Sequence, residues 1–167
     1  MDYPQDPRTV GMLGGLGPRG EAIPITRQHT VDVATQWPVS PHTPHEVAAQ
    51  LRVARELFVH CLLVWEFGAV GAAWSLMAVE SCLRWALSAD TKASFKNLTA
   101  RARGQGLLTD DLAEKTDAGR SLRKVFSHPQ SQPALSAGMV SGVAETSHVI
   151  VHHVSETMAR AAEPRSS

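Results

Sequence analysis

The chain has 167 residues, with 16 Lys and Arg, 16 Asp and Glu, and 8 His, so its formal charge at pH 7 is zero. Hydrophobic residues are 43% of it, which is enough for a packed core, and the length suits one domain. Zero net charge excludes a general nucleic-acid coating protein, whose phosphate contacts need excess Lys and Arg, and two cysteines exclude a disulfide scaffold or a four-cysteine zinc module.

Residues 1–42 hold little periodicity. Seven of the ten prolines and five of the twelve glycines lie before residue 45, and proline repeatedly removes backbone donors. The segment is expected to be a mostly disordered tail. Its run from Gly15 to Gly20 is a formal GxGxxG, but that fingerprint needs a strand before it and a helix after it. Pro18 and Pro24 prevent a regular helix from starting there. The first residues carry acids where a secretory leader needs bases, and no apolar run follows. The expectation is a cytoplasmic protein with reduced thiols and no membrane partner.

Five helical segments follow. Thr43-Pro44-His45-Glu46 opens the first with a capping pattern and an early proline, and Val47, Leu51, Ala54 and Phe58 recur at helical spacing. The second, about 63–87, is nearly all apolar. Glu66, Glu80 and Arg84 interrupt it, so it reads as half of a buried hairpin and not as a membrane span. Asp90 or Thr91 caps the third, about 92–103, which Gly104 and Gly106 end. Thr109 caps the fourth, with Asp110 and Asp111 at the positive end of the helix dipole. Its face is Leu112, Thr116, Gly119, Leu122 and Phe126, and Pro129 stops it. Ser136 opens the fifth, whose expected buried stripe is Met139, Val143, Ile150, Val154 and Met158. No segment alternates with period two. The fold class is therefore all-α, an up-down bundle of four to five helices spanning 43–160, with a disordered C-terminus at 161–167.

Residues 119–129 read GRSLRKVFSHP, so Arg123 and His128 form an Arg-x4-His pattern near the end of a helix. This resembles the HEPN domain family. The segments LFVHCLLVWEF (57–67), SLMAVESCLRWAL (75–87) and SFKNLTARARGQGLL (94–108) are similar to HEPN-like bacterial proteins, so the resemblance covers about 46–158. It implies a homodimer in which two protomers bring their Arg and His together, without metal or cofactor, to cleave RNA. In that role His128 exchanges a proton with the attacking 2′-hydroxyl and Arg123 holds the phosphate oxygens. Toxin or defence ribonucleases of this kind imply a cognate antitoxin or other partner protein. Lys124 departs from the pattern, because active members usually carry Asn, Asp or His after the Arg. A charged lysine contacts phosphate but accepts no proton. The alternative is therefore a non-catalytic HEPN-like module for dimerisation or partner binding.

Local charge points the same way. From 84 to 124 there are nine basic residues and five acids. Arg101, Arg103, Arg120 and Lys124 are the expected RNA contacts, forming one patch with Arg123 if the third and fourth helices are neighbours. Glu145, His148, His152 and Glu156 share a helix face at a spacing known from carboxylate-bridged metal sites. That chemistry needs matching ligands such as Glu66 and Glu80, so the expectation is a polar, exposed stripe and no metal. In the HEPN-like reading, Glu66 or Glu80 instead orients the Arg across the bundle. Cys61 and Cys82 sit in apolar surroundings and read as inert core residues.

Overall fold

The computed structural model describes residues 4–16, 18–126 and 136–163. Its elements are a 3₁₀ turn Pro7–Thr9, strands β1 (Leu13–Leu16) and β2 (Ala22–Pro24), and helices α1 (Arg27–Thr35), α2 (His45–Val59), α3 (Glu66–Ala86), α4 (Phe95–Gly104), α5 (Asp110–Phe126) and α6 (Ala137–Ala162). The five expected helices are α2 to α6. The Pro129 stop and His128 lie outside the described residues, as do 164–167.

Helix ends follow local chemistry. Ser94 and Ser136 cap α4 and α6, each hydroxyl accepting from the backbone N–H three residues on. At the end of α4, Leu107 N–H donates to Ala102 (2.9 Å) and Gly106 N–H to Arg103 (3.0 Å). Gly106 takes φ +71° to allow this. The same closure ends α3, where Ser88 takes φ +46° without being glycine.

The bundle is organised around α3, which packs most extensively on α2 and α6 and also meets α4 and α5. One apolar cluster joins Leu51, Val79, Leu83, Leu98, Leu108 and Val151 from α2, α3, α4, α6 and the connection before α5. At Gly71 the α2 and α3 backbones come so close that a Cβ would sit 3.0 Å from the Ala54 carbonyl oxygen.

The N-terminal segment corrects the tail expectation. It folds as a strap across the bundle, ending in α1 and an extended run to Thr43. Asp6 N–H donates to the Leu62 carbonyl (2.9 Å), and Thr30 Oγ1 to that of Val59 (3.1 Å). Trp37 is 3% exposed, and its ring packs at a tilt of 45° against Phe58 and His148, with centroids 4.9 and 5.0 Å away. Ser40 Oγ donates to Glu156 (2.6 Å) and Thr43 Oγ1 to Ser155 (3.1 Å). Ile25, Ala34 and Trp37 thus form a second apolar cluster with Phe58, Leu62 and Val140. The prolines that suggested a tail shape a chain whose order comes from distant contacts. The expected GxGxxG region is crossed instead by the β1–β2 antiparallel hairpin.

The stripe of α6 is also rotated from the expected one. Val140, Ala144, His148, Val151 and Ser155 are buried along with Ile150 and Val154, while Met139 is half exposed. The strap covers a flank of α6 that would otherwise face solvent. At the other end α6 continues to Ala162, past the expected boundary at 160.

Candidate functional site

Arg123 lies one turn from the end of α5, on the flank turned toward α3. Its guanidinium Nη1 donates to the Glu80 carboxylate at very short range. Glu80 accepts in turn from Arg84 Nη2 of its own helix at 2.9 Å. Arg84 also donates to the carbonyls of Asp90 and Ala93, tying the end of α3 to the α3–α4 connection. A single carboxylate therefore sits between two guanidiniums, and it fixes the orientation of Arg123. The Arg123 side chain remains 38% exposed, so the guanidinium is held at the solvent edge of the bundle. An Arg fork in this position is preorganised for an anion, because its rotamer is restrained before a ligand arrives.

Of the two acids that sequence reasoning offered as orienting groups, Glu80 meets Arg123. Glu66 instead takes the guanidinium of Arg8 in a two-pronged pair at 2.5 and 2.9 Å. Arg8 also binds Asp6, and these hydrogen bonds hold both carboxyls below the usual carboxylate range.

Of the remaining expected RNA contacts, Arg120 and Lys124 lie on α5 with Arg123, and Arg101 and Arg103 lie on α4. Arg120 pairs with Asp117 one turn back (3.2 Å). Arg103 pairs with Asp110 across the α4–α5 connection (2.7 Å). Arg101 donates to the Leu87 carbonyl (3.3 Å). Lys124 follows Arg123 in the last turn of α5. α4 and α5 are neighbours, as expected, but Asp110 and Arg123 stand at opposite ends of α5, about 20 Å apart at 1.5 Å per residue. Arg103 thus does not share a phosphate-sized point with Arg123.

A groove of about 370 Å³ runs between α3, α5 and α6, lined by Leu76, Gly119, Leu122, Met139, Gly142 and Val143 among others. Helix approach is tight at its floor, where a Cβ on Gly119 would lie 2.6 Å from Leu76 Cδ2.

The Glu145–Glu156 face is not the exposed polar stripe expected. His148 is completely buried, and its Nδ1 donates to the Ala144 carbonyl at 2.9 Å. Burial pushes its imidazole down to about 4, with the Arg55 cation acting in the same direction. Glu156 serves the strap through Ser40, and that hydrogen bond is the main reason its carboxyl is held below its ordinary value. Among the described residues no three His, Cys, Asp or Glu side chains are grouped to hold a metal ion. The pairing of His148 with Trp37 was missed because Trp37 lay in the presumed tail, although a tryptophan amid prolines was a signal that the segment docks. Both cysteines are buried, and desolvation raises the Cys61 thiol to about 11 and that of Cys82 to about 12.

The chain matches no protein-family model, and no curated protein or solved structure matches it. Among the described residues no helix is long and apolar enough to cross a membrane.

Proposed function

We propose that the chain is a homodimeric HEPN-like protein of the toxin or defence type, a metal-independent endoribonuclease working in the cytoplasm. Arg123 and His128 are its catalytic pair. The observation that supports this is the Arg123–Glu80 contact, which holds a half-exposed guanidinium at the edge of an all-α bundle. In the reaction the RNA 2′-oxygen bonds to the adjacent phosphorus as its proton passes to a base. The 5′-oxygen leaves with a proton from an acid, giving a cyclic phosphate end and a 5′-hydroxyl. His128 exchanges those protons, and Arg123 binds the oxygens on which charge develops. Arg120 and Lys124 contact flanking phosphates.

The test is RNA cleavage in EDTA by the purified chain. Wild type is expected to cut, and His128→Ala and Arg123→Ala to lose about 100-fold or more, the usual weight of a proton-transfer or charge-stabilising group. Intact RNA after incubation with folded wild type overturns the ribonuclease reading. One observation favours the second reading, a non-catalytic partner-binding module: Arg103, Arg120 and Arg123 are each paired with an acid of the same chain. An inert but folded wild type selects it.

A further inference from the structure

The groove between α3, α5 and α6 owes its shape to residues without bulk. Its walls carry Ala118 and Gly119 of α5 and Gly138 and Gly142 of α6. A Cβ on Gly142 would meet nothing within 4 Å, and one on Gly138 only the Ser136 hydroxyl at 3.9 Å. Leu76, Val143 and Ile150 give it an apolar floor. Met139 stands half exposed at its rim, and a flexible thioether adapts to what it touches. Protein interiors leave few such spaces, and at about 370 Å³ this one lies in the range of small-molecule sites.

The polar end of the groove is equally well defined. Leu122 and Met139 share this groove, whereas Leu112 and Val149 share a neighbouring one, so α5 and α6 run antiparallel. Lys115 therefore stands level with Thr146, at the end away from Leu122. Among the described lining residues Lys115 alone is charged, because Glu114 and Asp117 line the separate groove between α4 and α5. Its ammonium pairs with Asp111 at 2.8 Å, but both side chains are more than half exposed, and such a pair holds weakly.

We infer that the groove binds a small amphiphilic monocarboxylate, its apolar chain along the glycine walls and its carboxylate on the Lys115 ammonium and the Thr146 hydroxyl. The volume sets the size. At about 30 Å³ for each heavy atom the groove holds about twelve of them, the content of decanoate. From Lys115 to Leu122 the wall of α5 is about 10 Å long. A partner helix of that length, a cylinder about 10 Å across, would need about twice the volume, so the occupant is a small molecule. One cation at the end of an apolar slot favours one anionic head group and opposes a cationic one. Ser147, buried in the floor, donates to the Val143 carbonyl (2.8 Å) and accepts from Ser75 (3.1 Å). The middle of the groove thus asks for no polar group on the chain. Neither member of the proposed catalytic pair is among the described lining residues, so the site stands independently of the ribonuclease reading.

Calorimetric titration of the full-length chain with decanoate, kept below its micellar concentration, is expected to show one saturable site with a dissociation constant of about 100 µM. Decanol has the same chain without the charge and is expected to bind about 10-fold more weakly, with decylammonium weaker still. Gly142→Leu is expected to keep its helical circular dichroism, because its side chain enters open space. By filling the groove it is expected to weaken decanoate binding about 10-fold or more. Lys115→Ala is expected to bind decanoate only as well as decanol. Absence of saturable binding to folded wild type overturns the inference, as does decanoate affinity that survives Gly142→Leu. Decanol binding as tight as that of decanoate overturns the carboxylate assignment. If Gly142→Leu fails to fold, Lys115→Ala decides, and an unchanged preference for decanoate over decanol overturns the site.

Discussion

An imidazole enclosed on every side is held neutral, because its protonated form would lose its hydration and find no counter-charge. His148 is placed in this way. Trp37 of the strap covers its ring, the α6 carbonyl of Ala144 accepts from Nδ1, and the Arg55 cation of α2 lies near. His152 is one turn along the same helix, and the other ring nitrogen, Nε2, has no protein partner among the described residues. Protonation would therefore create a buried N–H without an acceptor. The native value near 4 lies below the unfolded value of 6.5. The native state thus binds this proton less readily than the unfolded state does. Its contribution is complete above pH 6.5 and is lost as pH falls from there toward 4. The difference corresponds to about 3 kcal/mol. Asp6, Glu66 and Glu156, all held below their ordinary values, also lose stability on acidification, so the comparison must be made by difference. In urea titrations between pH 7.5 and 4, wild type is expected to lose about 3 kcal/mol more than His148→Gln. Equal losses would show that His148 titrates as an ordinary exposed imidazole.

At the scale of elements, the glycines of the helices do opposite things. Gly71 lets α3 approach α2, with its missing Cβ position 3.0 Å from the Ala54 carbonyl oxygen and 3.2 Å from Leu57 Cβ. Neither atom is the free end of a side chain, so neither can move aside. Gly142 of α6 meets nothing within 4 Å. Gly71→Ala is therefore expected to destabilise by about 1–3 kcal/mol through overpacking. Gly142→Ala is expected to stabilise by about 0.5–1 kcal/mol by removing glycine from a helix interior. Thermal melts of the two variants should move in opposite directions. The five long helices were legible because their signals are local, such as the Ser136 cap and the Gly106 turn, although α4 is capped by Ser94 and not by Asp90 or Thr91 as expected. α1 was not, although Thr26 caps it by accepting from His29 N–H. A nine-residue helix is marginal by itself, and this one is anchored by Thr30 and Ala34 on residues far along the chain.

The same division between local and distant causes governs the whole molecule. Arg123 stands near the end of its helix as its pattern implied, and Glu80 was one of two foreseen partners. The placement of Arg103 beside Asp110, at the far end of α5 from Arg123, was not legible, because a sequence lists charges without giving the level at which each helix presents them. The role of residues 4–42 was hidden for a related reason: their composition is that of a loop, and their order derives from what they touch. Ile25 and Trp37 supply a wall of the cluster that holds Phe58, Leu62 and Val140. Truncating a buried Trp costs about 3–5 kcal/mol and a buried Ile about 2–5. Together these are at least about 5 kcal/mol, comparable with the whole stability of many small domains. Deleting residues 1–42 would remove both side chains at once, along with the hydrogen bonds to Leu62, Val59 and Glu156. It would also bare His148 and free its imidazole to titrate near neutrality. The fragment 43–167 is therefore expected to melt far below the full chain in circular dichroism, or to be unfolded at 25 °C. A fragment that melts together with the full chain would mean that the strap lies on the bundle without supporting it.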